Sequence, residues 1–188
     1  MVGFGSKQAW LAVRDGEPAA LIGVLGLRDL GEVPWRGGVD LAYLTDDRLV
    51  VTPPLRGAGG ARWVLAAGRW LLGTAADRVD VASLSADLGT EVQLFATYRV
   101  GELHRWQRGA AGRLVRAFGY LGEAGRVTDW HGSPDDAELA LGVPPEPDGE
   151  RDVLVAEADV LRLAAAWSVD PMALDGRPAP GPLRVAAG

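Results

Sequence analysis

The sequence predicts an α+β protein in which about four helices pack on a mostly antiparallel sheet. Strand-like and helix-like runs share the first half of the chain, and three strand-like runs follow one another directly in the second half. The loops between these later strands are shorter than the dozen or more residues that a parallel crossover requires. We therefore expect antiparallel pairing, with the helices on the faces of the sheet.

In the first half of the chain, apolar periodicity and turn residues separate the elements. We predict a strand over 8–14, a helix over 19–25 that follows Pro18, mostly loop over 30–45, and strands over 48–52 and 62–67. The next helix has Thr74 as its N-cap and ends at Gly89, with Val81, Leu84 and Leu88 on one apolar face.

The second half contains the clearest strand signals. We predict strands over 91–98, 102–108 and 113–121, a weaker strand over 127–130, a helix that Ser133 opens and Leu141 ends, and a last helix over 151–167. The four residues from Gly109 to Gly112 form the loop of a hairpin. Residue 108 then faces residue 113, which places Arg105 opposite Arg116.

The chain reads as a single globular domain over residues 1–171, with a proline-rich linker at 143–150 before the last helix. Proline, glycine and alanine dominate residues 172–188. Such a segment has little apolar side chain to bury, so we expect a mobile tail there.

Composition excludes several classes of function. The chain has no cysteine, which rules out a disulfide framework, a thiolate zinc site and a cysteine nucleophile. Its formal net charge of -6 argues against nucleic acid as a partner. We see no signal peptide and no apolar run long enough for a membrane span, so we expect a cytoplasmic protein without a membrane partner. We further expect no cofactor, and a monomer or weak dimer.

The two histidines raise a metal alternative. Glu102 with His104, and Asp129 with His131, are spaced so that each pair points to one face of a strand. Two adjacent strands would then bring two histidines and two carboxylates together. The other interpretation is that each histidine is half-exposed and bonds to its neighbour, and we predict no metal site.

The predicted hairpin carries the candidate ligand site. Like charges at Arg105 and Arg116 would be unfavourable on opposed strands unless acidic residues or a ligand neutralise them. This face is therefore a candidate site for an anion or a peptide carboxylate, although a solvated face remains the alternative. The candidate ligand-binding residues are Arg99, Glu102, His104, Arg105, Trp106, Arg116 and Tyr120.

Tryptophan is unusually frequent, with seven residues against three phenylalanines and three tyrosines. Trp10, Trp63 and Trp167 lie in apolar runs and are predicted to be in the core. Trp35 and Trp106 have polar, glycine or proline neighbours and are predicted to line a groove or an interface.

The chain from about residue 80 to 171 resembles a group of uncharacterised actinobacterial proteins. The resemblance rests on the segments LGTEVQ at 88–93, RVGELHRW at 99–106, GRLVRAF at 112–118, GE at 122–123 and WSVDP at 167–171. It implies no particular activity, cofactor or catalytic residue.

Two functions from different classes are compatible with these observations. The first is a non-catalytic binding protein that recognises a peptide or protein partner, since tryptophan and arginine are enriched in interfaces. The alternative is an enzyme or accessory factor of a specialised pathway for peptide natural products. It would act on a peptide or small acid through Glu102, His104 and the arginines.

Overall fold

The computed structural model describes residues 1–72, 79–99, 101–147 and 155–188. Across these ranges, ten strands form one antiparallel sheet. The strands are β1 (Ala9–Arg14), β2 (Arg28–Val33), β3 (Arg48–Val51), β4 (Leu55–Arg56), β5 (Arg62–Ala67), β6 (Val92–Tyr98), β7 (Leu103–Ala110), β8 (Arg113–Leu121), β9 (Arg126–His131) and β10 (Leu183–Ala187). Their spatial order is β2-β10-β3-β5-β1-β6-β7-β8-β9, and β4 pairs with β5. The predicted α+β class with an antiparallel sheet is confirmed.

Helices cover both faces of the sheet. The described ranges contain five α-helices, one more than predicted: α1 (Pro18–Val24), α2 (Trp35–Leu44), α3 (Val81–Leu88), α4 (Asp136–Ala140) and α5 (Glu157–Trp167). Residues of α2, α4 and α5 pack into the apolar cluster on what we call the front face. Residues of α1 and α3 pack into the cluster on the back face. The strands β1 and β5 are buried on both sides, which explains their nearly continuous apolar sequences.

The prediction of mostly loop over 30–45 is wrong. The end of β2 and the ten-residue helix α2 occupy this stretch, and Gly38 lies inside the helix. A Cβ at Gly38 would come within 2.7 Å of Leu183, so this glycine allows α2 to approach β10 closely. Trp35 at the start of α2 is buried and donates from Nε1 to the Val2 carbonyl at 2.9 Å. It packs in the core rather than lining a groove.

The hairpin register also differs from the prediction. Ala110 pairs with Arg113, and the turn consists of Ala111 and Gly112 alone, whose φ values are +50° and +72°. Two consecutive residues with positive φ make the tight turn that suits a twisted hairpin. A bulge after Arg108 shifts the register once more, so Arg108 faces Arg116 and Arg105 faces Gly119.

The predicted mobile tail contains a strand of the sheet. Within 172–188, β10 pairs with both β2 and β3, and Leu183 and Val185 are buried against the front-face cluster. The prediction of a mobile tail is wrong for these residues. The segment has few apolar side chains, but pairing between β2 and β3 buries those of β10, among them Leu183, Val185 and Ala186.

Helix starts were predicted less accurately than strands. The predicted N-cap Thr74 lies outside the described residues, and α3 begins at Val81 with Asp80 as its N-cap. For α4 the N-cap is Asp135 instead of Ser133, and Asp135 forms a reciprocal capping box with Glu138. The last helix is described from Glu157 onward. The weak strand predicted over 127–130 is β9.

Candidate functional site

An aromatic row crosses five neighbouring strands on the front face. The strand registers align Trp10, Phe95, Trp106, Phe118 and Trp130. Ring centroids are 5.3 Å apart for Trp10 and Phe95, and 4.3 Å for Trp106 and Phe118. Such pairs stabilise a core beyond the area they bury. Trp106 is fully buried in this row, so its predicted place in a ligand groove is wrong.

A second row, which we call the cleft row, lies beside the aromatic row. Side chains alternate between faces along a strand, so residues two positions from the aromatic row share its face. On β6, β7 and β8 these residues are Thr97, His104 and Tyr120, and the registers place them side by side. All three are buried or nearly so. The cleft row therefore aligns three polar groups between the sheet and the helices above it.

The first residue of α5 connects this row to the helix. The Glu157 carboxylate accepts hydrogen bonds from Ser6 Oγ at 2.8 Å, the Lys7 backbone N–H at 3.0 Å, Thr97 Oγ1 at 3.3 Å and Arg99 Nη2 at 3.2 Å. Burial alone would raise the pKa of Glu157, but the hydrogen bonds from Lys7, Ser6 and Arg99, with the charge of Arg99, outweigh it and lower the pKa. Glu157 is therefore ionised at neutral pH.

His104 lies on β7 next to Thr97. The residue is 4% exposed, and its Nδ1 is 3.2 Å from Thr97 Oγ1. Burial lowers the pKa of His104, and the nearby Glu157, Glu102 and Asp159 offset only part of this effect. Because the charged form is the costly one in a buried site, His104 is a neutral imidazole at pH 7.

An open cleft of about 720 Å³ lies above the cleft row. It is lined by Arg99, Glu102, His104, Tyr120, Val155, Ala156, Glu157 and Ala158. Four of the predicted ligand-binding residues therefore meet there: Arg99, Glu102, His104 and Tyr120. Its size and its mixture of apolar walls with a few polar groups are typical of a ligand site.

Two residues at the cleft have strained backbones. Lys7 and Glu102 have φ values of +52° and +50°, a region that residues other than glycine rarely adopt. The strain at Lys7 accompanies the hydrogen bond from its N–H to Glu157, and Glu102 lines the cleft directly. Asp15 and Ala111 have similar φ values in turns away from the cleft, so positive φ by itself does not mark the site.

The remaining predicted arginines are not in the cleft. Arg116 is buried on the front face, where its Nε donates to Glu138 at 2.8 Å and its Nη1 to the carbonyls of Ala117, His131 and Gly132. Glu138 also accepts from Trp106 Nε1 at 2.7 Å. Arg116 thus forms a buried structural ion pair with Glu138 and is not a ligand residue. This corrects its place among the predicted ligand-binding residues.

Arg105 points to the back face, because it precedes Trp106 on β7. Its Nη2 lies 3.7 Å from Asp129 Oδ2, and both side chains are partly exposed. The predicted opposition of Arg105 and Arg116 does not occur, since the two-residue turn and the bulge change the register. Arg105 therefore lies on the opposite face of the sheet from the cleft and does not belong to the candidate site.

The two histidines do not meet. His104 faces Tyr120, whereas His131 on the edge strand β9 faces Ala117, and His131 Nε2 lies 3.0 Å from the Leu114 carbonyl. The sequence alternative of a two-histidine, two-carboxylate set is therefore wrong. Within the described ranges, no three residues of metal-ligating type form a cluster.

Sequence reasoning missed Ser6, Lys7, Thr97 and Glu157. Ser6 and Lys7 precede β1, and Glu157 lies 36 residues beyond the end of the hairpin at Leu121, so no local pattern connects them. One signal was available for Thr97, because a threonine two residues after a core phenylalanine on a strand shares its face.

None of the helices in the described part of the chain has the length and apolarity that crossing a bilayer requires. Comparisons of the chain with known protein families, with curated proteins and with solved structures found no match.

Proposed function

We propose that the protein is a non-catalytic binding protein that recognises a segment of a peptide or protein partner in the cleft. The observation that carries this proposal is the cleft itself, where apolar walls surround a few polar groups of different character. Val155, Ala156 and Ala158 supply apolar surface from the start of α5. This combination supports binding by burial of apolar side chains, with the polar groups selecting orientation.

The polar groups suit a peptide better than a simple anion. Arg99 and the Tyr120 hydroxyl donate hydrogen bonds, whereas the Glu102 carboxylate accepts them. A peptide backbone presents donors and acceptors in alternation, so it can satisfy both kinds of group. Among the described lining residues, a small anion would meet Glu102 and Glu157 next to a single arginine, Arg99, which is unfavourable.

Peptide selection on the full chain tests this proposal. Peptides are selected from a random displayed library on the immobilised protein, and their affinities are measured by fluorescence polarisation. We expect Ala158→Trp to weaken binding at least about tenfold, equivalent to about 1.4 kcal/mol, because the indole would fill the cleft. Ala158 is exposed at the start of α5, so the fold accommodates the larger side chain.

The matched control is Ala165→Trp, which places the same side chain on an exposed position of α5 outside the cleft lining. It should bind the selected peptides as the wild type does. Equal binding by both variants would place the peptide site elsewhere. Failure to select any peptide of micromolar affinity would contradict the proposed function.

The enzyme alternative rests on His104. A neutral imidazole in a cleft, next to the acidic Glu102, is a suitable general base for a peptide or small-acid substrate. The test is turnover of a panel of peptide esters, peptide amides and small carboxylic acids by the wild type and by His104→Gln. Turnover that His104→Gln abolishes would favour the enzyme over the binding protein.

We also propose that the protein acts in the cytoplasm as a monomer or weak dimer. The edge strands β2 and β9 each have six residues with mainly exposed or half-buried side chains, among them Arg28, Asp29, Arg126 and Asp129. Short, charged edges discourage pairing with a second sheet. A tight tetramer in light scattering at micromolar concentration would contradict this.

A further inference from the structure

The hydrogen bonds beneath the cleft determine where the proton of His104 lies. The ionised Glu157 carboxylate can only accept, and its two oxygens are approached by the four donors described above. Thr97 Oγ1 is one of them, at 3.3 Å from Glu157 Oε2. If the single hydroxyl proton of Thr97 pointed elsewhere, an oxygen lone pair would face a carboxylate oxygen. The proton therefore points to Glu157.

Thr97 then has only lone pairs left for His104. The contact of 3.2 Å between Thr97 Oγ1 and His104 Nδ1 is a hydrogen bond only if Nδ1 carries the proton. A neutral imidazole has one such proton, so Nε2 is left with its lone pair. The ring lines the cleft, and Nε2 has no hydrogen-bond partner among the residues that the structure describes.

We propose that Thr97 and Glu157 are positioning residues that hold His104 in the Nδ1–H form, so that Nε2 accepts a hydrogen bond from the ligand of the cleft. This inference rests on the proposed function and specifies its ligand: a group with an N–H or O–H donor, such as a backbone amide or an ammonium, contacts His104. An ionised carboxylate has no donor to offer there and is excluded from this position.

The charges around His104 support the same ligand class. Glu157 and Asp159 approach from α5 and Glu102 from the turn before β7, and Arg99 provides the positive charge that pairs with Glu157. Tyr120 on β8 is the neutral neighbour. Among the described residues, acidic groups outnumber basic ones around the ring, so a donor with partial or full positive charge is favoured over an anion.

Nitrogen NMR of the full chain with ¹⁵N-labelled histidine tests the proton position directly. The chain has only two histidines, so His131→Gln assigns the spectrum. At pH 7.5 we expect His104 to show a protonated Nδ1 and an unprotonated Nε2. Thr97→Ser keeps the hydroxyl and should retain this pattern. Thr97→Val has nearly the same shape without the hydroxyl and should lose it, with the two nitrogens approaching an averaged signal.

Thr128→Val, an exposed threonine on β9, is the matched control and should leave the His104 signals unchanged. A protonated Nε2 in the wild type would overturn the proposal, as would an unchanged pattern in Thr97→Val. None of these readouts depends on finding a peptide, so a failed peptide selection and a wrong proton position are distinguishable.

Small probes test the ligand class in the same spectra. We expect N-methylacetamide and methylammonium to shift the Nε2 signal in a saturable way, because each donates a hydrogen bond. Acetate should not shift it. A shift with acetate alone, or no shift with either donor while the Nδ1–H pattern is present, would overturn the assigned ligand class.

Discussion

Two polar rows flank the aromatic row on the front face, and they differ in how their charges are satisfied. The row that we call the arginine row contains Gln93, Arg108 and Arg116, which the strand registers place side by side. Arg116 pairs with Glu138, and Arg108 Nε lies 2.7 Å from Glu91. The cleft row has one buried histidine and no buried ion pair among the described residues.

The two rows show the difference between charged groups that stabilise the fold and polar groups that face a cleft. In the arginine row each guanidinium has a carboxylate partner from a neighbouring element, and Arg116 and Glu138 are excluded from water. A buried pair with its partner in place is a structural feature, and removal of one member leaves an unpaired charge. In the cleft row, the carboxylate Glu157 is saturated by the protein, whereas Nε2 of His104 is left for a ligand.

The largest expected effect is in the arginine row. Arg116→Gln leaves the fully buried Glu138 without its cation, and we expect a loss of about 3–5 kcal/mol in the free energy of unfolding. Urea denaturation measures it. Arg105→Gln is the matched control on the back face, where a partly exposed pair is worth about 0–1 kcal/mol. Equal losses for the two variants would contradict the distinction between these arginines.

A smaller effect is expected where the arginine row meets the aromatic row. Trp106→Phe retains an aromatic ring against Phe118 but removes the Nε1 donor to Glu138. A hydrogen bond to a charged group contributes about 1.5–3 kcal/mol, so we expect a loss in that range from urea denaturation. A typical neutral hydrogen bond contributes about 0.5–1.5 kcal/mol. A loss below about 0.5 kcal/mol would therefore mean that the bond from Trp106 adds nothing and that Arg116 alone satisfies Glu138.

The cleft row should make the stability of the protein depend on pH. The folded-state pKa of His104 lies below its ordinary value of 6.5, so the unfolded chain takes up a proton first as the pH falls. The contribution of His104 to stability is complete above pH 6.5 and is lost as the pH falls through the lower folded value. Glu157 contributes in a separate window below its ordinary value of 4.5.

The measurement is the free energy of unfolding between pH 7.5 and pH 5 for the wild type and His104→Gln. We expect the wild type to lose stability over this range and His104→Gln to lose less. An identical slope in the wild type and His104→Gln would show that His104 is not a buried neutral group.

The smallest effect on stability should come from the rim of the cleft. The Arg99 side chain is 63% exposed, so Arg99→Ala should cost less than about 1 kcal/mol in unfolding free energy. Its effect should appear in the affinity for selected peptides, measured by fluorescence polarisation. Arg177→Ala, another exposed arginine outside the cleft lining, should change neither quantity. A large loss of stability in Arg99→Ala would make Arg99 a structural residue like Arg116.

Local sequence patterns predicted much of the sheet. Short connections predicted antiparallel pairing, and the strands around Trp10, Phe95 and Phe118 lie where alternation indicated. Of the predicted ligand-binding residues, Arg99, Glu102, His104 and Tyr120 line one cleft. Adjacent strands of one hairpin carry His104 and Tyr120, and Arg99 and Glu102 stand at its start. Whether these residues bind a ligand stays a prediction. Strand positions and the grouping of residues on one hairpin depend on residues that are close in the sequence, so they can be predicted from it.

Strand register and the burial of individual side chains could not be predicted from the sequence in the same way. Arg105 and Arg116 have similar sequence surroundings, yet a two-residue turn and one bulge place Arg116 in the core against Glu138 and Arg105 on the opposite face. A shift of one residue exchanges the two faces of a strand, and the energy that selects the register comes from both faces at once.

By itself, the sequence determined the class of fold, the positions of most strands and the polar residues of the hairpin, since these depend on periodicity and on turns between neighbours. Only the tertiary structure decided which polar groups were satisfied by the protein and which were left for a ligand. Glu157, Ser6 and Lys7 come from distant parts of the chain to complete the surroundings of Thr97 and His104. The end of the chain likewise becomes β10 only because β2 and β3 leave a place between them. Hydrogen-bond satisfaction and burial are properties of the assembled fold, and no local segment carries them.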